Sequence, residues 1–162
     1  MEARNIPRRK LTKQILLFWA KQGISIGRDR FPRKPTDLDD GLAFGALTPA
    51  ALEAGKALNA TVLDMRWVKP LDRDAILKAV ASHTLLVTVE DHQRMGGAGS
   101  AVNELLHEEG LLVDVLNLAL PDHFIHHGKR DVLLSEAGLD AQGIETQIRA
   151  RLSEQQRLRE AR

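Results

Sequence analysis

The order of hydrophobic and polar residues alternates between two periods from Gly41 onward. Short apolar runs, typical of buried strands, are followed by segments with apolar residues every three or four positions, typical of amphipathic helices. The predicted strands are GLAFGAL (41–47), ATVLDM (60–65), TLLVTVE (84–90) and LLVDVLNLAL (111–120). The predicted helices are 49–58, 73–83, 100–110, 129–138 and 140–152.

Three residues mark the ends of these helices. Thr48, just before Pro49, is expected to accept a backbone N–H as the N-cap of the first helix, and Asp72 is expected to do the same for the second. Asn59 tolerates the left-handed conformation of a C-cap. Near-continuous apolar strands joined by helices indicate a sheet covered on both faces. We therefore predict an α/β fold, a three-layer α/β/α sandwich with a mainly parallel, mixed sheet.

Residues 1–40 have a different composition. They carry ten Lys or Arg against five Asp or Glu, a net charge of +5, whereas residues 41–162 carry thirteen against seventeen, a net charge of −4. One helix is conceivable at 11–21, before Pro32 and Pro35 interrupt the pattern. We predict a basic, poorly ordered arm or linker at 1–40 and a folded domain at 41–162. A contact of the arm with nucleic acid or an anionic membrane is the alternative.

Composition limits the chemistry of the chain. With no cysteines it forms no disulfides, thiolate metal sites or Cys nucleophiles, which agrees with a reducing, cytoplasmic location. Aromatic residues make up 4% of the chain, so the core is expected to consist of Leu, Val, Ile and Ala. No apolar run approaches the roughly 20 residues of a membrane helix. We expect neither a membrane nor nucleic acid as partner of the folded domain.

A glycine-rich loop lies between the third strand and the next helix. Gly96, Gly97, Gly99 and Ser100 sit where free backbone N–H groups and the helix dipole can hold an anion. The loop matches neither the Walker A nor the dinucleotide-binding pattern. The alternative is structural, because missing side chains let the helix pack close to the sheet. The sequence leaves both interpretations open.

Two further groups of residues are candidates for binding. Arg66 and Lys69 follow the second strand, at the edge where open α/β sheets place their sites, and could hold a phosphate or carboxylate or pair with a neighbouring domain. The segment 123–127 contains three of the six histidines, but no metal-binding spacing accompanies them. We interpret that segment as a solvated loop.

Five segments in order resemble one family. LNATVLDMRWVKPLD, ASHTLLVTVED, MGGAGSAVNELL, VLNLALPDHFI and GLDAQGIE are similar to the C-terminal, transketolase-like domain of 1-deoxy-D-xylulose-5-phosphate synthase. The resemblance extends from about Leu42 to about Leu152. It implies a transferase that uses thiamine diphosphate and Mg²⁺ to condense pyruvate with glyceraldehyde 3-phosphate, releasing carbon dioxide. The product supplies isoprenoid, thiamine and pyridoxal biosynthesis.

The resemblance also implies what this chain lacks. The family's metal motif, Gly-Asp-Gly followed by an Asn, is absent from the sequence, and the glutamate that activates the aminopyrimidine ring belongs to another domain of the family enzyme. We therefore expect no catalytic, cofactor-binding or metal-binding residue here. The expected role is support of a homodimer or of the missing N-terminal synthase domains. A stand-alone anion-binding or regulatory module is the alternative.

Overall fold

The structure is a computed structural model that describes residues 40–161 of the chain. The strands are β1 (Asp40–Phe44), β2 (Thr61–Asp64), β3 (Leu85–Gln93) and β4 (Asp114–Leu120). The α-helices are α1 (Thr48–Leu58), α2 (Arg73–Ser82), α3 (Ala98–Glu108), α4 (Arg130–Glu136) and α5 (Ala141–Glu160), and one 3₁₀ turn (Gly45–Leu47) follows β1. The predicted arm at 1–40 lies, except for residue 40, outside the described residues, so the predicted domain division remains a prediction.

The strands form one sheet in the order β2-β1-β3-β4. All three pairings are parallel, with Leu42 opposite both Leu63 of β2 and Thr88 of β3. The predicted α/β class and parallel sheet are confirmed, although no antiparallel pairing of the predicted mixed kind occurs within residues 40–161. Because every strand runs in the same direction, all the loops that follow the strands share one edge, hereafter the carboxyl edge.

Helices cover both faces of the sheet. Side chains alternate along a strand, so Leu85, Val87 and Val89 of β3 pack on one face with α1 and α5. Leu86 points to the other face and packs with α2 and α3. Both clusters consist mainly of Leu, Val, Ile and Ala, as the composition predicts. The three-layer α/β/α sandwich is thereby confirmed.

Two of the three predicted helix caps have the expected geometry. Asp72 accepts a hydrogen bond from the Ala75 N–H at 3.0 Å, and Asn59 is left-handed with φ 53°. The prediction for Thr48 is wrong. Thr48 is already the first residue of α1, and its hydroxyl donates to the carbonyl of Gly45 at 2.8 Å. The 3₁₀ turn places that carbonyl within reach, so the hydroxyl closes the preceding turn.

Several element boundaries differ from the hydrophobic pattern because polar residues extend the elements. β3 continues to Gln93, which pairs with Leu120. The last three residues of β3 are exposed. α5 continues to Glu160, eight residues past Leu152, through residues that are mostly polar and exposed. Conversely, β4 begins only at Asp114, after the predicted first residues of that strand. Apolar periodicity detects only the parts of an element that face the core.

An ionic network joins α5 to the start of β4, at the amino edge of the sheet. Arg151 donates to the Asp114 carboxylate from Nη2 at 2.5 Å and from Nε at 3.1 Å, and Gln155 donates to the same carboxylate. Burial alone raises the pKa of Asp114, but the hydrogen bonds from Arg151 and Gln155 outweigh it and hold the pKa below its ordinary value. The folded domain therefore favours the ionised carboxylate.

No helix of residues 40–161 is both long enough and apolar enough to cross a membrane. The longest, α5, has 20 residues but carries many charged side chains.

The Asp114 network predicts a pH-dependent contribution to stability. A pKa lowered on folding stabilises the domain above the unfolded pKa near 3.8, and the contribution is lost as the pH falls through the folded value. We expect Asp114→Asn to lower the free energy of unfolding by up to about 1 kcal/mol at neutral pH, since the pair is partly exposed. Urea titrations at several pH values should show this difference shrinking below about pH 4.

Asp122→Asn is the matched control, because Asp122 lies in an exposed loop. Its effect is expected to stay within about 0.5 kcal/mol at every pH. A difference between Asp114→Asn and the wild type that persists unchanged in acid would contradict the assignment.

Candidate functional site at the carboxyl edge of the sheet

The strand order creates a change of direction between β1 and β3. From β1 the chain passes through α1 to β2 on one side, and from β3 it passes through α3 to β4 on the other, with α1 and α3 on opposite faces. In open α/β sheets, ligands bind beside the carboxyl ends of the strands at such a point. The glycine-rich loop follows β3 directly, so the structure places it at this position.

The carboxylate of Glu90 occupies the beginning of α3. Glu90 is 3% exposed, and its Oε2 and Oε1 accept hydrogen bonds from the backbone N–H groups of Ala98 at 2.6 Å and Gly99 at 2.7 Å. These are two of the N–H groups that a helix leaves without an intrahelical partner. An anion does bind at this helix start, and it is a side chain of the protein itself.

Glu90 is the site residue that the sequence analysis did not single out. It ends an apolar strand, where a solvent-exposed acid is the ordinary expectation. A signal was available, because Glu90 is the last position of the predicted strand and lies two residues after Thr88. In a strand buried on both faces, their side chains point to the same face. A helix start nearby offers such a carboxylate its partners.

Gly97 and Gly99 are required by close contact between α3 and the sheet. A Cβ on Gly99 would lie 2.7 Å from Thr88 Oγ1 and 2.9 Å from Asn117 Oδ1, and a Cβ on Gly97 would overlap the Glu90 carboxylate. Thr88, which is fully buried, donates to Asn117 at 2.8 Å beneath the helix. These two glycines therefore have the structural role that the sequence left open.

Ser100 and Gly96 fix the turn that precedes α3. The Ser100 hydroxyl accepts from the Gly96 N–H at 3.0 Å and donates to the Arg94 carbonyl at 2.9 Å. Gly96 has φ 74°, a conformation that glycine adopts without steric cost. The hydroxyl that could have contacted an anion instead ties both ends of the turn together.

Arg66 and Lys69 lie on the loop after β2. Their loop and the glycine-rich loop start about 10 Å apart, because β1 separates β2 from β3. The side chain of Arg66 faces Asp64, with Nε 3.6 Å from Oδ2, and its backbone N–H donates to Asp64 Oδ1 at 3.2 Å. Lys69 is exposed. The predicted residues thus share one edge of the sheet while belonging to two separate loops.

A second ion pair connects β3 to α4 at the same edge. Arg130 Nη2 donates to Asp91 Oδ2 at 3.0 Å, and both side chains are well exposed. Exposed pairs of this kind contribute at most about 1 kcal/mol. The pair therefore contributes little to the stability of the domain.

The histidines of residues 40–161 show no arrangement typical of a metal site. Within residues 40–161, no group of three or more His, Asp or Glu side chains is arranged to hold a metal ion. His123, His126 and His127 are exposed and lie in the irregular loop between β4 and α4.

Comparisons with known proteins agree on one family. The family model described as "Transketolase, C-terminal domain" matches residues 42–144. A 1-deoxy-D-xylulose-5-phosphate synthase of Alcanivorax borkumensis is 82% identical over 120 residues, which are 74% of this chain and 19% of the relative. A synthase of the same name from Bordetella petrii is 62% identical over 110 residues, or 68% of this chain and 18% of the relative. The chain thus spans about a fifth of the length of these relatives.

A solved structure has a similar fold. The protein described as "Split gene transketolase, inactive beta4 tetramer" is 33% identical, with a TM-score of 0.66. The similarity covers 72% of this chain and 40% of that chain.

The role of Glu90 leads to a prediction about stability. Glu90→Ala leaves the buried N–H groups of Ala98 and Gly99 without acceptors, so we expect a loss of about 2–4 kcal/mol in the free energy of unfolding. Glu90→Gln, which keeps one carbonyl oxygen, should lose less. Urea denaturation followed by circular dichroism measures both.

Glu104→Ala is the matched control, because Glu104 is an exposed residue of α3. Its expected effect is within about 0.5 kcal/mol. An equally small effect of Glu90→Ala would mean that water satisfies the two N–H groups and that the carboxylate is dispensable.

The anion-binding hypothesis has its own test. An external anion at the start of α3 must displace Glu90, so we expect inorganic phosphate to bind no more tightly than the millimolar range in isothermal titration calorimetry. Micromolar binding that is weakened in Lys69→Ala would instead support the stand-alone anion-binding module.

Proposed function

Because the chain belongs to the transketolase C-terminal domain family, with 1-deoxy-D-xylulose-5-phosphate synthases as relatives, we propose that it acts as the C-terminal domain of such a synthase. The observation that carries the proposal is the 82% identity over 120 residues to a synthase of which those residues form only 19%. The chain corresponds to one part of a larger enzyme.

The reaction of the complete enzyme follows from this assignment. It is the transfer of a two-carbon unit from pyruvate, with loss of carbon dioxide, to glyceraldehyde 3-phosphate. Thiamine diphosphate, held through Mg²⁺, stabilises the carbanion in this chemistry. The product enters isoprenoid biosynthesis, and the cytoplasmic location expected from the sequence belongs to the same proposal.

The contacts at the start of α3 support placing the cofactor in another part of the synthase. A diphosphate group would need free N–H donors at a helix start, but Glu90 already occupies two of those of α3. A divalent ion bound to a diphosphate would need several converging carboxylate or carbonyl ligands. We therefore assign the cofactor to other domains of the synthase and derive no step of the reaction through residues 40–161.

The proposed contribution of this chain is assembly. Two apolar clusters, one on each face of the sheet, give it a core of its own, so it can be folded before it meets a partner. The similar split-gene transketolase is described as inactive in its β4 form. By analogy, we expect this chain to be inactive alone and to act with the remaining synthase domains, in a homodimer of the complete enzyme.

The proposal predicts a complementation result. The purified chain, mixed with pyruvate, glyceraldehyde 3-phosphate, thiamine diphosphate and Mg²⁺, should release no carbon dioxide above the protein-free background. The Alcanivorax borkumensis relative with its matching segment deleted should gain activity when the chain is added. Restored activity should saturate as the concentration of the chain increases.

The truncated relative alone and the chain alone are the two controls. Turnover by the chain alone would contradict the assignment of the cofactor to other domains. A truncated relative that neither binds the chain nor gains activity would contradict the proposed role in assembly.

A further inference from the structure

Four large apolar side chains are exposed at the carboxyl edge of the sheet. Trp67 is 63% exposed, Val68 38%, Met95 71% and Phe124 101%. They lie in the loops after β2, β3 and β4. Single exposed apolar residues are ordinary, but several on one edge indicate an interaction surface. We call these four residues the carboxyl-edge patch.

The patch extends across the whole sheet. β2 and β4 are the outer strands, so the loops carrying Trp67 and Phe124 start about 15 Å apart, with the loop of Met95 between them. A row of exposed apolar side chains along a sheet edge suits the surface of another folded protein domain.

The loop that carries Met95 is held in place before any partner binds. Ser100 joins the Gly96 N–H to the Arg94 carbonyl, and the Glu90 carboxylate fixes the beginning of α3 immediately afterwards. A loop that is already ordered loses less conformational entropy on association. Met95 is therefore presented to solvent on a rigid turn.

The charges around the patch favour a partner that differs from the chain itself. The loops at 65–72, 94–97 and 121–129 contain four Lys or Arg and two Asp. Of these, Arg66 faces Asp64, and Asp72 is engaged as the cap of α2. Two copies that met through this edge would bring like charges together, which opposes association, whereas a partner with carboxylates would be attracted.

The length of the relatives supplies such a partner. The chain corresponds to 19% of the Alcanivorax borkumensis synthase, so four fifths of that enzyme lie outside the matched segment. We propose that the carboxyl-edge patch docks onto this remaining synthase polypeptide, at an apolar surface that also carries carboxylates. This docking rests on the proposed function and specifies which face of the domain contacts the remaining synthase polypeptide.

Binding measurements on surface variants test the inference. The complete chain is titrated into the Alcanivorax borkumensis relative that lacks the matching segment, and the Kd is measured by calorimetry. We expect Trp67→Ser and Phe124→Ser each to raise the Kd about tenfold or more, because buried aromatic side chains dominate such interfaces. Lys69→Glu should weaken binding as well, and so should added salt.

The chain offers matched controls away from this edge. Leu112, 104% exposed, lies between α3 and β4 at the amino edge, and Leu158, 61% exposed, lies near the end of α5. Leu112→Ser and Leu158→Ser should leave the Kd within about twofold, since residues outside an interface contribute little to binding. Urea midpoints of all the variants should match the wild type, which separates a binding defect from a folding defect.

Three outcomes would overturn the inference, and they differ in what else they affect. If the wild-type chain binds and the patch variants bind equally well, the docking face is wrong while the proposed function stands. If the wild-type chain does not bind, the proposed function fails together with the inference. If sedimentation shows that the chain dimerises and that Phe124→Ser abolishes the dimer, the patch joins two copies of the chain.

Discussion

The hydrogen bonds of the Glu90 carboxylate to the Ala98 and Gly99 N–H groups are the interaction on which the carboxyl edge depends. They join the last buried residue of β3 to the first turn of α3 and give two of its backbone N–H groups an acceptor within the protein. A buried carboxylate is tolerated only when its oxygens have donors, and the helix start provides them together with a favourable dipole. Gly97 follows from this arrangement, because any side chain there would overlap the carboxylate.

A helix start in an α/β protein can therefore bind an anion without being a ligand site. The same free N–H groups that hold phosphate in nucleotide-binding folds hold Glu90 in this one. The consequence is a constrained turn: Ser100 bridges Arg94 and Gly96, and Glu90 holds Ala98 and Gly99 just after them. The start of α3 is thus held by contacts within the domain.

Much of the fold was predictable from the sequence because burial determines it. The alternating apolar pattern predicted the four strands, the covering helices and the caps at Asp72 and Asn59, and the five family segments predicted a family that the comparisons confirm. The pattern could not reveal the exposed ends of β3 and α5, since those residues face solvent. It also could not predict that the Thr48 hydroxyl donates to Gly45, because this depends on the 3₁₀ turn before it.

The site was predictable in position but not in content. The glycine-rich loop does lie at a strand end and a helix start, as its place in the sequence indicated. Glu90 accepts the N–H groups at the start of α3 because of how β3 pairs and which face of the sheet its side chain points to. Both are tertiary properties. Arg66 was equally ambiguous, because its contact with Asp64 forms in a folded loop where Arg66 has a left-handed backbone.

The direction of α5 has a practical consequence for handling the protein. Arg151 and Gln155 contact Asp114 and the Thr84 carbonyl, at the beginnings of β4 and β3, so the helix runs toward the amino edge. β1 also begins at that edge, because the sheet is parallel. Fusion tags or immobilisation handles joined beyond α5 therefore emerge on the far side of the domain, and a sensor surface that captures the chain through them leaves the opposite loops accessible.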